Sequence, residues 1–208
     1  MNDTAPCVRV VDDDAGVRKS LDRLLRSAGF AVTTYPSPRD FLEAHDGEAP
    51  GCLVLDLSMP GIDGLELQAT LARSGDFCPV VFISGHGDIP ASVRAMKAGA
   101  VDFLTKPFDK LQLLTAVRAA VEKDRAARKA REERSSIGAR VAALTPRERE
   151  VMAHVVAGDL NKQIAAELGI AEKTVKVHRA RVMKKMGVAS LAALVWLIGR
   201  SKREELAA

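Results

Sequence analysis

Five residues stand where an apolar run stops and a polar loop begins, and their side chains could do chemistry together. Asp12 and Asp13 follow Cys7–Val11, Asp56 follows the run from Cys52 to Leu55, Ser84 follows Pro79–Ile83, and Lys106 comes just after Val101–Leu104. Short apolar runs bounded by loop signals read as buried parallel strands. In open α/β sheets, ligands gather at the carboxyl ends of the strands. Carboxylates that share a cleft repel one another unless a cation neutralises them. Mg²⁺ suits such a site, because it prefers oxygen ligands and keeps some of its waters. A carboxylate is also a nucleophile toward phosphorus and yields an aspartyl phosphate. Charge that moves onto the equatorial oxygens during transfer needs a metal, an ammonium and a hydroxyl donor. Lys106 and Ser84 supply the last two, and Asp56 is the candidate nucleophile.

The elements that must position these residues alternate between strand and helix patterns, which argues for a parallel sheet with helices on both faces. Strands are expected over Cys7–Val11, Phe30–Tyr35, Cys52–Asp56, Pro79–Ile83 and Val101–Leu104. Val17, Leu21, Leu24 and Leu25 mark the first helix, which Asp14 caps and Gly29 closes. A short helix crosses Phe41 and Leu42, and Leu65, Leu67 and Leu71 mark the third, opened by Asp63-Gly64 after the Met59-Pro60-Gly61 loop. Val93 and Met96 lie on a helix stopped by Gly99, and Leu111–Val121 is the fifth. Five such units fit a flavodoxin-like (βα)5 doubly wound α/β domain. His86 reads as a structural or solvated loop histidine, and Cys7, Cys52 and Cys78 as plain core or edge residues.

The chain has 208 residues, room for one large domain or two small ones. Charge favours two: residues 1–121 carry a net −4, 122–139 a net +2 and 140–208 a net +6. Only the last part is suited to a polyanion. Three cysteines without framework spacing fit a reducing compartment. The N-terminal Met1-Asn2-Asp3-Thr4-Ala5-Pro6 lacks a signal pattern, and the apolar stretch Leu191–Ile198 is too short to span a bilayer. A cytoplasmic protein with no membrane partner is expected.

The first part resembles the receiver domain of two-component response regulators. Val-Val-Asp-Asp-Asp (10–14), Leu-Asp-Leu-Ser-Met-Pro-Gly-Ile-Asp-Gly (55–64), Ser-Gly-His-Gly-Asp (84–88) and Thr-Lys-Pro-Phe (105–108) carry the likeness, which covers nearly all of residues 7–121. It implies that Asp56 is the phosphoacceptor and that Asp12 and Asp13 hold Mg²⁺ together with Asp56 and the Ser58 main-chain carbonyl. It also implies that Ser84 and Phe103 are a switch pair, that Lys106 contacts the phosphoryl group, and that the Lys106–Pro107 bond is cis.

From Glu122 to Arg134 the chain is Ala, Lys, Arg, Glu and Asp, a helix-favouring charged run with an Asp124–Arg128 i,i+4 pair. It reads as a spacer that extends the fifth helix and loosens around Ser135-Ser136-Ile137-Gly138. Beyond Val141 the patterns are all helical. Thr145-Pro146-Arg147-Glu148 starts a helix that Gly158 ends, Asn161–Leu168 is short, Glu172–Met186 is longer, and Ser190–Ile198 is the fourth. Helix, glycine turn, helix is a helix-turn-helix order. At about 100° per residue, Val175, Val182, Met183 and Met186 face inward, and Lys173, Lys176, Val177, Ala180 and Lys184 face out. A cationic face with small and apolar residues between its lysines suits the DNA major groove.

Leu144–Ile198 resembles the LuxR-type DNA-binding domain of the NarL/FixJ regulators, on Leu-Thr-Pro-Arg-Glu-Arg-Glu-Val (144–151), Asn-Lys-Gln-Ile-Ala-Ala-Glu-Leu-Gly-Ile (161–170) and Lys-Thr-Val-Lys-Val-His-Arg (173–179). The resemblance implies that Lys173, Thr174, Lys176, Val177 and Ala180 face base edges. Asn161, Lys162, His178, Arg179, Arg181 and Lys184 then lie nearer phosphates. Some relatives carry a basic residue where Ala180 stands. Trp196 is expected in the core or on a dimer surface.

Taken together, the chain is expected to comprise a receiver (1–121), a helical linker (122–140) and a helix-turn-helix domain (141–208). Its order of domains most resembles the FixJ/StyR branch. That implies phosphorylation of Asp56 by a sensor histidine kinase, homodimerisation, promoter binding and transcription activation with RNA polymerase. Two alternatives stand at this point. An aspartyl-phosphate phosphatase would have a second acid two positions after its nucleophile, where this chain has Ser58. An idle receiver would leave DNA binding independent of Asp56.

Overall fold

A computed structural model describes residues 6–45, 47, 49–85 and 89–205, with 200–205 described by backbone alone. Met1–Ala5 and His86 therefore lie outside the described residues. Two compact units divide at Lys129–Ala130, inside the stretch expected to be a linker.

The first unit is built on five parallel strands, β1 (Cys7–Val11), β2 (Ala31–Tyr35), β3 (Gly51–Asp56), β4 (Val80–Ser84) and β5 (Asp102–Thr105), in the order β2-β1-β3-β4-β5. Helices α1 (Ala15–Ser27), α2 (Pro38–Ala44), α3 (Gly64–Ser74), α4 (Ile89–Lys97) and α5 (Lys110–Ala142) follow the strands in turn. Alternation along the strands makes two cores. Val8, Val10, Cys52, Val54, Val81 and Ile83 pack with Leu21 and Leu25 of α1 and Leu113 and Val117 of α5. Val11, Leu53, Leu55 and Phe82 pack with Phe41, Leu67 and Ala91 on the other face. Parallel strands covered on both faces read as continuous apolar runs, which is why the strands were visible in the sequence. The boundaries of β4 shift by one residue, from Pro79–Ile83 to Val80–Ser84.

Register sets the site. Val11 aligns with both Tyr35 and Leu55, Asp56 with Ile83, and Ser84 with Thr105. The strand ends therefore finish side by side. Asp14 caps α1, accepting from the Gly16 N–H at 2.6 Å and the Val17 N–H at 3.1 Å. Those two bonds hold its carboxyl below the ordinary value. Asp63 and Glu66 form a reciprocal capping box at the start of α3. A Cβ on Gly64 would lie 2.5 Å from the Asp56 carbonyl oxygen, so only glycine lets α3 begin this close to the phosphoacceptor candidate.

Two expectations about the connector need correction. Helix α5 does not loosen around Ser135–Gly138 but runs unbroken for 33 residues. Ile137 is buried and Val141 packs on the second unit's core, so apolar anchors on either side of Gly138 hold the turn. Nor is the start of the connector a plain solvated spacer. Asp124 is 1% exposed, and its Oδ2 accepts from the Gly51 N–H at 2.8 Å and from Arg128 Nε at 2.9 Å. Arg128 in turn donates to the carbonyls of Gly47 and Ala49, each at 3.1 Å.

In the second unit, α6 (Pro146–Ala157), α7 (Asn161–Leu168), α8 (Glu172–Met186) and α9 (Leu191–Glu205) surround Leu144, Val151, Val155, Ile164, Val175, Val182, Met186 and Leu194. Helix α9 continues past the expected Ile198 end. Trp196 on α9 is 57% exposed, so its core alternative is set aside. Thr145 and Glu148 form the expected capping box, and Glu148 does more. It is 3% exposed, and its Oε2 also accepts from Lys185 Nζ of α8 at 2.6 Å. The Lys185 bond first, then the Thr145 N–H, pull the Glu148 carboxyl from 4.5 to about 2.

A folded-state value below the unfolded one stabilises the fold above the unfolded value, and that stability is lost as pH falls through the folded value. Stability of the second unit, followed by fluorescence of Trp196 in the full chain, is expected to fall from about pH 4.5 toward about pH 2. Glu148→Gln should melt lower than wild type at neutral pH and lose that part of the acid dependence. A variant with the wild-type acid slope would remove Glu148 as its source.

Candidate functional site

At the carboxyl edge of the sheet, Lys106 Nζ lies 2.8 Å from Asp12 Oδ2 and 2.7 Å from Asp56 Oδ1. One ammonium, just after β5, thus joins the residue that follows β1 and the last residue of β3. The remaining carboxylate oxygens are held locally. Asp12 Oδ1 accepts from the Asp14 N–H at 2.8 Å, and Asp56 Oδ2 from the Ser58 N–H at 2.9 Å. Asp12 is wholly buried and Asp56 is 5% exposed, whereas Asp13 and Ser58 are exposed. Burial pushes the Asp56 carboxyl above its ordinary value even though Lys106 draws it the other way. Burial lowers the Lys106 ammonium, but its bonds to Asp12 and Asp56 outweigh that and leave it raised.

Ser84 is buried at the end of β4, and its carbonyl accepts the Lys106 N–H at 2.7 Å. The hydroxyl and ammonium candidates are thereby joined through the backbone. The Lys106–Pro107 peptide is cis, as expected. Phe103 on β5 is half-buried and stacks on Phe82 with ring centroids 6.1 Å apart. Asp12, Asp56, Ser84 and Lys106 therefore converge, and Asp13 and Ser58 sit on the same two loops.

On α8, Val175, Val182 and Met186 are buried and Met183 is half-buried. Lys173, Thr174, Lys176, Val177, Ala180, Arg181 and Lys184 are exposed, and His178 and Arg179 are half-buried. On α7, Lys162 is exposed and Asn161 half-buried. Arg179 Nη1 donates to Asn161 Oδ1 at 2.8 Å, so two residues expected separately near phosphates are joined across the turn.

Residues 8–118 match the family described as response regulator receiver domain, and residues 142–198 the family described as bacterial regulatory proteins, luxR family. The chain belongs to the response regulators. Nodulation protein W of Bradyrhizobium diazoefficiens is 50% identical over 92% of this chain and 85% of its own length. Transcriptional regulatory protein FixJ of the same organism is 45% identical over 93% and 95%. The solved response regulator StyR is similar with a TM-score of 0.89 and 50% identity, covering 95% of this chain and 100% of that one. This response regulator controls transcription in a phosphorylation-dependent way and is not an enzyme. A sensor kinase and promoter DNA are the partners implied by the FixJ type. Among the described residues no single helix is long and apolar enough to cross a membrane.

Receiver domains generally bind Mg²⁺ at the phosphorylation site, and the donor set of this regulator fits that ion. The rim carries Asp12, Asp13 and Asp56, and Lys106 pairs with only two of them. The cleft keeps an excess of hard anionic oxygen donors. Sequence reasoning missed Arg18, whose Nη1 donates to the Asp12 carbonyl at 2.6 Å. Nothing in the periodicity of α1 separates that arginine from its exposed neighbours.

Because burial disfavours the charged form of Asp56, metal-free Asp56→Asn is expected to melt above wild type in chelator. Mg²⁺ should raise the wild-type melting midpoint more than that of the variant and narrow the gap. A variant that melts lower in chelator would mean that the Lys106 pair outweighs the burial cost.

Proposed function

We propose that Asp56 is the phosphoacceptor of this response regulator and that its phosphorylation controls dimerisation and promoter binding. The observation that carries the reading is the Lys106 ammonium held between Asp12 and Asp56 at 2.8 and 2.7 Å. A carboxylate oxygen of Asp56 attacks phosphorus in line, the donor's bond to phosphorus breaks, and the leaving group departs with that electron pair. Lys106 and the Ser84 hydroxyl would meet the charge on the phosphoryl oxygens. Asp12, Asp13, Asp56 and the Ser58 carbonyl would hold Mg²⁺, which supplies further neutralisation when bound. The donor is a partner histidine kinase.

The conformational half of the reading is a population shift. Ser84 is drawn toward the phosphoryl group and Phe103 turns inward, so the surface of α4 and β5 becomes competent to pair. Ile89, Val93 and Met96 on α4 are 75%, 45% and 45% exposed, which supports an interaction surface there. In the DNA-binding domain, Lys173, Thr174, Lys176, Val177 and Ala180 would address base edges. Asn161, Lys162, His178, Arg179, Arg181 and Lys184 would address phosphates, which position the domain without choosing its operator. Two copies on two half-sites gain affinity through effective concentration. The regulator is read as cytoplasmic and as an activator working with RNA polymerase. Its parts are a receiver at 1–121, a linker at 122–140 and a helix-turn-helix domain at 141–208.

Intact-protein mass after incubation with Mg²⁺ and acetyl phosphate, with promoter affinity read in parallel, tests this. One added phosphoryl on wild type but not on Asp56→Asn, with tighter DNA binding, is expected. Phosphorylation that leaves DNA affinity unchanged would break the coupling and leave two modules sharing a chain, and no phosphoryl at all would point to an idle receiver. For the DNA face, Lys184→Ala should weaken binding across all sequences and reduce the salt slope by about 1. Lys176→Ala should instead relax discrimination at one base position, and an unchanged sequence preference would remove Lys176 from the base-reading set.

A further inference from the structure

Strand β1 ends at Val11, which aligns with Tyr35 on one side and Leu55 on the other. The carbonyl of Asp12 therefore lies past the last pair of the ladder, at the edge of a buried acidic loop. A buried carbonyl needs a partner, and the sheet supplies none there. Arg18 on α1 does so, with Nη1 at 2.6 Å from that oxygen. Its own N–H bonds the Asp14 carbonyl at 3.0 Å, while the Asp14 side chain caps the same helix. Asp12 is thus gripped at every oxygen: Asp14 N–H and Lys106 on its carboxylate, Arg18 on its carbonyl. The peptide that Arg18 holds is the one that joins Asp12 to Asp13. Its orientation sets the direction in which the exposed Asp13 side chain leaves the chain.

We infer that Arg18 is a positioning residue for phosphoryl transfer at Asp56, fixing the Asp12–Asp13 peptide so that both carboxylates are ready for the metal. The inference rests on the proposed role of those carboxylates. Arg18 bonds the main chain of Asp12 and acts through that peptide. Its sign can be told from that of bulk charge. Removing a cation near a cation site should strengthen Mg²⁺ binding by electrostatics alone, whereas loss of positioning weakens it.

The test is calorimetric titration of the full chain with Mg²⁺, together with the Mg²⁺ dependence of labelling by acetyl phosphate. Arg18→Ala is expected to raise the Mg²⁺ Kd on the order of tenfold, as loss of an outer partner of a metal ligand does. Labelling should slow at low Mg²⁺ and return toward the wild-type rate at saturation. Arg18→Lys, which keeps a donor of similar reach, should recover much of the affinity and serves if the alanine variant does not fold. Arg23→Ala, an exposed cation on the same helix, should match wild type or bind slightly tighter. An Arg18→Ala Kd equal to or below wild type would overturn the inference, as would equal weakening in Arg23→Ala. Wild type that neither binds Mg²⁺ nor takes the phosphoryl would overturn the reading of the site, and this inference with it.

Discussion

The receiver depends on one electrostatic constraint: carboxylates are brought together out of water and one ammonium is placed between two of them. Lys106 contacts Asp12 and Asp56 at 2.8 and 2.7 Å, and these residues stand at the ends of three different strands. Buried ions are costly unless paired and hydrogen-bonded. Each carboxylate accordingly also takes a backbone N–H, from Asp14 or Ser58. The parallel register that aligns the strand ends is therefore a requirement of the chemistry as well as of the core. Incomplete neutralisation leaves the cleft receptive to a divalent cation, and burial pushes the Asp56 carboxyl above its ordinary value while Lys106 draws it down.

The helix-turn-helix unit applies the same economy to shape. Glu148 closes the N-terminus of α6 and also receives Lys185 from α8, so one buried carboxylate orders two helices. Arg179 and Asn161 join α8 to the start of α7. With these ties at the turn and Val175, Val182 and Met186 in the core, the outward residues of α8 are presented on a fixed scaffold. Such presentation suits the proposed base readout, which depends on side-chain geometry.

Much of this was legible in sequence because its causes are periodic. Continuous apolar runs revealed the strands, and their last residues revealed the cleft. The 3.6-residue repeat separated Val175 and Val182 from Lys173 and Lys176. What escaped depends on contacts between residues distant along the chain. Asp124 sits in a charged run and reads as one half of a surface i,i+4 pair, yet it is buried because Gly51, far away in sequence, needs an acceptor. Ser135-Ser136-Ile137-Gly138 reads as a break by propensity, and the burial of Ile137 overrides it. Arg18 has nothing local to distinguish it from Arg23, since only the end of β1 gives it a partner.

The Asp124 contact ties the connector to the buried start of the receiver's central strand. Strand β3 begins at Gly51, whose N–H is bonded to Asp124, and finishes at Asp56. A Cβ on Gly51 would lie 1.9 Å from the Cys7 carbonyl oxygen, so this corner is too tight for any other residue. A fragment cut after residue 121 would keep every strand and the whole acidic cleft, yet lose the acceptor at the opposite end of its central strand. Excision at the motif boundary would thus strip that donor of its buried acceptor and open it to water. The bonding of that strand's buried end thus reaches through Asp124 to Arg128, into sequence that looks like tether.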